Sequence, residues 1–194
     1  MSTLMEGFKE VFGILKALGA GLKELAKIPG NNITEMRDAV ADTAELIDET
    51  LTILRQHLTV VISELRFGDP QNAAKMIYEL SNFQGWEDKY RKFQLCDSLR
   101  IATGKLESKG LYKLINLASF GNPETIHQRM FDYIGGETNA AKSIGTMLIE
   151  LSQLAGVAET DRDRVIRNLE DARNEVGIMR QAFIDLEIEI RKLM

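Results

Sequence analysis

The sequence predicts an all-α protein, an up-and-down bundle of four to five long helices that begins with an amphipathic N-terminal helix. Three observations lead to this prediction. Apolar residues recur at helical spacing along nearly the whole chain, and no segment alternates with period two. Only Pro29, Pro70 and Pro123 interrupt the 194 residues, which leaves room for long helices. Two long coiled-coil hairpins without a closed core are the alternative, because a repeat of about 3.5 residues serves both architectures.

Length and composition fit one domain over residues 1–194, with an amphipathic helix in residues 1–29 and the body of the bundle in residues 31–194. A content of 44% apolar and 27% charged residues is typical of a soluble globular chain. The net charge of −5 argues against a general nucleic-acid binder. We expect a cytoplasmic or peripheral membrane protein, because Cys96 is the only cysteine and neither a secretory signal nor a membrane-spanning apolar run is evident.

The first predicted helix has apolar residues at alternating steps of four and three positions, and it stops at the sequence IPGNN. Its glycines weaken the isolated helix, which therefore needs an apolar surface to form on. We predict that its apolar stripe binds a membrane or a partner helix, and the alternative is that it is simply core. The stripe consists of Leu4, Phe8, Val11, Phe12, Leu15, Leu18, Leu22 and Leu25.

The second helix is predicted over residues 33–67, with Asn32 as its N-cap and Glu35 as the reciprocal capping partner. Its length is roughly 50 Å at about 1.5 Å per residue. Its exposed faces are acidic, and the carboxylates are those of Glu35, Asp38, Asp42, Glu45, Asp48, Glu49 and Glu64.

Asp69 and Pro70 start a third helix, because a capping residue precedes a first-turn proline. Gly85 kinks or ends this helix. The aromatic residues Trp86, Tyr90 and Phe93 follow at helical spacing, which favours core positions over a ligand-stacking site. Residues 104–122 look like a loop, a short helix and a turn.

Pro123 opens another helix, which the Gly135-Gly136 pair breaks into two pieces. Thr160 caps the last helix, whose apolar seam is the most regular in the chain. That regularity favours a second hypothesis, in which residues 161–194 pair with another chain in a homo-oligomer or scaffold. The seam consists of Val165, Leu169, Ala172, Val176, Met179, Phe183, Leu186, Ile190 and Leu193.

Two short motifs suggest chemistry without completing it. Gly136 and Lys142-Ser143 have the spacing of a phosphate-binding loop, but Ala141 replaces the glycine before the lysine and no strand precedes the motif. Glu124 and His127 form one Glu-x-x-His unit, and a di-iron bundle needs two. We therefore predict no catalytic residue, no metal site and no cofactor. A nucleotide-binding pocket around residues 135–143 is a third and least supported function class.

A basic segment lies within this acidic chain. Residues 89–113 contain seven basic residues and two acidic residues, with aromatic side chains between them. Such a patch binds lipid or nucleic-acid phosphates, or it pairs with the acidic second helix inside the fold. The basic patch consists of Lys89, Arg91, Lys92, Arg100, Lys105, Lys109 and Lys113.

An amphipathic, glycine-containing first helix followed by a bundle with a basic patch resembles the HeLo-type domains, which include the mixed-lineage kinase domain-like bundle. The resemblance rests on GFKEVFGILKALGAG at residues 7–21 and on WEDKYRKFQLCDSLR at residues 86–100. It covers about half of the chain, and no functional residue is carried over. The resemblance implies a non-enzymatic, oligomerising effector of cell death that acts on an anionic membrane surface, with the first helix as the inserting element.

Overall fold

A computed structural model of the chain describes residues 2–69, 71–73, 75–76, 89–135 and 162–193, apart from the side chains of residues 2–6, 89, 90 and 135. The described residues form helices and turns and contain no strand, so the all-α prediction is confirmed. The helices are α1 (Ser2–Ala26), α2 (Thr34–Phe67), α3 (Lys89–Ser108), α4 (Leu111–Leu114), α5 (Pro123–Met130) and α6 (Arg162–Arg191). A 3-10 turn spans Leu117–Phe120 and a π-helical turn spans Phe131–Gly135.

The predicted end of α1 and the predicted start of α2 agree with the structure to within a few residues. Gly30, at φ of 81°, follows the end of α1 and provides the left-handed residue that a chain reversal favours. Asn32 does bond to the start of α2, since its Oδ1 accepts from the N–H of Thr34 at 2.9 Å. The helix itself begins only after Ile33, which makes no side-chain cap bond, so the predicted N-cap is one residue too early.

The second half of the basic segment is more helical than predicted. The loop expected from residue 104 is wrong at its start, because α3 continues to Ser108. The predicted start at Pro123 is confirmed, since Asn122 caps α5 by accepting from the N–H of Thr125 at 2.8 Å. The predicted break at Gly85, the glycine Gly136 and the cap at Thr160 lie outside the described residues.

The two longest helices, α2 and α6, pack side by side in opposite directions. Arg37, near the start of α2, donates to the carbonyl of Leu193 at 3.2 Å, whereas Arg66, at the end of α2, pairs with Glu170 at 2.7 Å. The apolar seam predicted for α6 is buried from Val165 to Ile190. Contacts with α2 therefore cover the seam within a single chain.

Ion pairs between α2 and α6 flank this seam. Arg180 Nε lies 2.9 Å from the carboxylate of Asp48, and both side chains are about four-fifths buried. Arg191 bonds to Asp42 at 2.9 Å and to Glu45 at 3.0 Å. Part of the acidic face of α2 is thus neutralised by arginines of α6.

The first helix lies against several other elements at once. It contacts α2, α3, α4, α6 and the 3-10 turn. Two glycines in α1 allow this close approach. A Cβ atom added at Gly21 would lie 2.6 Å from Ile115 Cδ1 and 2.8 Å from Leu106 Cδ2, and one added at Gly19 would collide with Ile190. The glycines that weaken the isolated helix therefore permit its packing here.

Candidate functional site

The structure places the predicted contact residues of α1 in the interior. Phe12 is partly buried and meets Phe183 edge to face, with 5.4 Å between ring centroids. Leu4 lies outside the described side chains. In this conformation the described part of the stripe is covered and cannot touch an external surface. At most 4% of the side chain is exposed at Phe8, Val11, Leu15, Leu18, Leu22 and Leu25, and Ile14 is fully buried with them.

The opposite side of α1 is polar. Lys9 and Lys16 are exposed, and Lys27 pairs with Glu24 at 2.6 Å. Lys23 reaches across to the Glu189 carboxylate of α6. The first helix is therefore amphipathic in the fold, with exposed lysines on one side and the apolar stripe in the interior.

A polar cluster of Glu10, Arg129 and Tyr133, here the Glu10 cluster, ties the first half of α1 to the region after α5. Glu10 accepts from Arg129 Nη1 at 2.7 Å and from the Tyr133 hydroxyl at 2.9 Å. The Tyr133 ring lies against Gly7, where a Cβ atom would approach it to 2.9 Å. Burial, and then the bond to Glu10, raises the pKa of Tyr133. Tyr133 belongs to the π-helical turn, a rare geometry that recurs at functional positions.

The predicted basic patch divides into two halves. Arg91 turns inward and pairs with Glu49 of α2 at 2.8 Å, and Lys92 is only 7% exposed. Arg91 thus matches the intramolecular alternative, in which basic side chains neutralise α2. Lys89 lies outside the described side chains. Arg100 is exposed and pairs with Asp97 of its own helix at 2.6 Å.

The other half of the patch faces solvent, at the junction of α3 and α4. Lys105, Lys109 and Lys113 are exposed, and none of them bonds through its side chain to a described residue. Two apolar side chains lie among them, Ile101 at 46% and Leu114 at 71% exposure. We call these five residues the α3–α4 surface.

Local folding explains why these side chains project outward. Gly110, at φ of 71°, ends the turn after α3 and lets α4 begin in a new direction. Within α4, Tyr112 is buried and donates from its hydroxyl to the carbonyl of Gly121 at 2.8 Å. Burial is the main cause that raises the pKa of Tyr112 to about 12. Because Tyr112 anchors α4 from beneath, its neighbours Lys113 and Leu114 point into solvent.

No metal site is found among the described residues, where no group of three or more potential ligands comes together. Glu124 is exposed and His127 partly buried on the short helix α5. The Lys142-Ser143 motif lies outside the described ranges. The prediction that Phe93 is a core residue is wrong, because it is 63% exposed, although its ring meets that of Phe131 edge to face.

Cys96 is buried, as predicted, and its thiol approaches the carbonyl of Met130 at 3.8 Å. Burial raises the pKa of this thiol to about 11. A thiol with this pKa is protonated at neutral pH, and therefore a poor nucleophile. Cys96 packs as a small apolar residue between α3 and α5.

Comparison with known proteins returned no match to a family model, to a curated protein or to a solved structure. None of the described helices is long and apolar enough to cross a bilayer.

Sequence reasoning did not identify the Glu10 cluster. Its members are 119 and 123 residues apart, and no motif links them. The only local signal is the pair of Arg129 and Tyr133, which are four residues apart and so share a helical face. Sequence reasoning also grouped Lys92 with exposed lysines, because charge alone does not reveal a buried ammonium group.

Proposed function

We propose that this chain is a non-enzymatic, cytoplasmic helical bundle that associates with an anionic membrane surface while it remains folded. The observation that carries the proposal is the α3–α4 surface, where three exposed lysines that make no ion pair with a described residue lie on α3, α4 and the turn between them, together with two exposed apolar residues. Lysines near an anionic bilayer contribute about 1 kcal/mol each. Ile101 and Leu114 add apolar area that enters the interface between headgroups and acyl chains.

Vesicle flotation tests this proposal. The substitutions Lys105→Gln, Lys109→Gln and Lys113→Gln together remove about 3 kcal/mol of attraction, or roughly a hundredfold in partition coefficient. We expect binding to phosphatidylserine vesicles to fall accordingly and to weaken with added salt. The matched control changes Lys9, Lys16 and Lys27 of α1 to glutamine, with the same loss of charge. Equal loss of binding in both variants would show that binding depends only on the net charge of the protein. That result would contradict a binding site localised at the α3–α4 surface.

Insertion of α1 into the membrane is the second candidate, and the resemblance to HeLo-type domains implies it. The polar outer side of α1 and its seven buried apolar residues make it the most amphipathic element available for insertion. At about 1.5 to 3 kcal/mol per side chain, exposing that stripe costs on the order of 10 to 20 kcal/mol. This cost is similar to the stability of a whole domain, about 5 to 15 kcal/mol. Insertion therefore requires that lipid or a second subunit bury the stripe again.

A reversible cross-link tests insertion without deleting a core helix. Ile190 Cγ1 lies 3.5 Å from the position of a Cβ atom at residue 19. Gly19→Cys and Ile190→Cys, in a Cys96→Ala background, place a disulfide between α1 and α6. If insertion is required, the oxidised protein still floats with vesicles but releases no entrapped dye, and reduction restores leakage. Equal leakage from both redox forms would eliminate insertion of α1.

A scaffold function through α6 receives less support from the geometry. The seam from Val165 to Ile190, which would pair with another chain, packs against α2 of the same chain. A homo-oligomer built on this seam requires exchange of helices between subunits. Sedimentation at increasing protein concentration distinguishes such an exchanged dimer from a monomer.

A further inference from the structure

A second charged region lies where α2 ends and α6 begins. None of its residues belongs to the α3–α4 surface. It is a cavity of about 350 Å³ that is widely open at the protein surface. This volume lies near the lower limit of small-molecule pockets, roughly 300 to 1,000 Å³. The lining residues are Arg66, Arg162, Asp163, Ile166, Arg167 and Glu170.

Two of its three arginines are held in place by the protein. Arg66 Nη2 donates to Glu170 at 2.7 Å, and Arg162 Nε donates to the backbone carbonyl of Leu65. A guanidinium has five N–H donors, so each of these groups keeps donors for a ligand. Arg167 is exposed and has no partner among the described residues.

The lining is net positive although the chain as a whole has a charge of −5. Three guanidinium groups face two carboxylates, and Glu170 already pairs with Arg66. Asp163 is exposed and is the remaining negative group. The planar fork of arginine matches two oxygens of a phosphate, and bonds of this kind are roughly twice as strong as neutral ones.

We propose that this cavity binds a phosphate ester, with Arg162 and Arg167 as ligands of the phosphate and Arg66 as the group that fixes the rim. Ile166, only 7% exposed, provides an apolar wall for the group that carries the phosphate. The inference is independent of the α3–α4 surface. A soluble phosphate ester and a phosphorylated lipid headgroup present the same chemistry to these residues.

Titration calorimetry with pyrophosphate tests the site in the full-length protein. We expect millimolar or tighter binding, weakened about tenfold or more by Arg167→Gln, because one charge-assisted bond is lost. Arg100→Gln is the matched control, since Arg100 is an exposed arginine on α3 far in sequence from the cavity, and it leaves the affinity unchanged. Both arginines are exposed, so neither substitution is expected to unfold the protein.

Two outcomes overturn the inference: no heat of binding at millimolar pyrophosphate, or the same affinity in Arg167→Gln and the unchanged protein. Vesicles that contain a phosphoinositide distinguish a phosphorylated lipid headgroup from a soluble phosphate ester. If Arg167→Gln reduces flotation with these vesicles as well as pyrophosphate binding, the ligand is a lipid headgroup. If only pyrophosphate binding falls, the ligand is a soluble ester.

Discussion

Helices α1 and α6 carry similar apolar seams but are buried in different ways. The seam of α6 packs chiefly along α2, with ion pairs such as that of Arg180 and Asp48 beside it. Two of its residues, Phe183 and Ile190, also meet α1. The seam of α1 is covered by several elements, and glycines bring them close. A heptad pattern therefore predicts that a helix face is buried, but it does not predict which element covers the face. The comparison bears directly on function, because insertion requires α1, and not α6, to leave its site.

The largest expected effect concerns buried leucines on the two helices. Leu18 of α1 and Leu169 of α6 are both fully buried. We expect Leu18→Ala and Leu169→Ala each to lower the free energy of unfolding by about 2 to 5 kcal/mol, because each leaves a cavity. Urea denaturation measures both. If Leu18→Ala alone lowers the free energy of unfolding by much less than about 1 kcal/mol, then α1 is loosely packed. That result would favour the release of α1 from the fold.

Glycine-to-alanine substitutions on the two helices test the comparison further. We expect the change in the free energy of unfolding to have opposite signs on α1 and on α6. At Gly21 of α1 an added methyl group meets Ile115 and Leu106, so we expect Gly21→Ala to destabilise the protein by about 1 to 3 kcal/mol. At Gly177 of α6 the nearest atom is Arg55 Nε at 3.4 Å, an ordinary contact. Gly177→Ala should therefore stabilise the protein by up to about 1 kcal/mol, the usual gain in helix propensity. Thermal unfolding of both variants measures these shifts, and stabilisation by Gly21→Ala would show that α1 is not closely packed.

A smaller effect is expected from the Glu10 cluster, which ties α1 to the region after α5. Glu10→Gln removes the charge that Arg129 and Tyr133 bind, and should cost about 1 kcal/mol. Hydrogen exchange should show faster opening of α1 than of α6 in this variant. Glu189→Gln, which removes the partner of Lys23, is the control. Equal exchange in the two variants would argue against a specific role for the cluster.

The effect that is smallest at neutral pH appears only in alkaline solution and concerns α4, one of the elements that cover α1. Burial raises the pKa of Tyr112 to about 12 in the folded protein, above its ordinary value of about 10. The unfolded chain therefore loses this proton first, so stability is full below about pH 10 and falls as the pH approaches 12. Ultraviolet titration of tyrosinate in Tyr112→Phe should lack the component that ionises at the highest pH. If the component lost in Tyr112→Phe is instead one that ionises at about pH 10, the ordinary value for tyrosine, the burial of this hydroxyl is contradicted.

Hydrophobic periodicity predicted the helical class, the stop at Pro29 and Gly30, and the buried side of α1, because these depend on local residues. It did not predict that Lys92 would be buried and Phe93 exposed in the same turn of α3, nor that Arg91 would pair with Glu49. Those features depend on where α2 lies beside α3, which only long-range packing decides. The three lysines of the α3–α4 surface were predicted as part of a longer basic patch, whereas its apolar members Ile101 and Leu114 were identified only from their exposure in the structure.

The π-helical turn at Phe131–Gly135 has a consequence for changes in chain length. A π-helical turn accommodates one residue more than an α-helical turn, and successive residues of an α-helix are about 100° apart around its axis. Deleting a single residue between Arg129 and Tyr133 would restore ordinary winding and leave these two residues three positions apart instead of four, which displaces the two groups that bind Glu10 relative to each other. The packing of the first helix thus depends on the number of residues in a turn that lies much later in the chain. A one-codon deletion in that turn would therefore disturb the packing of the first helix more strongly than many point substitutions.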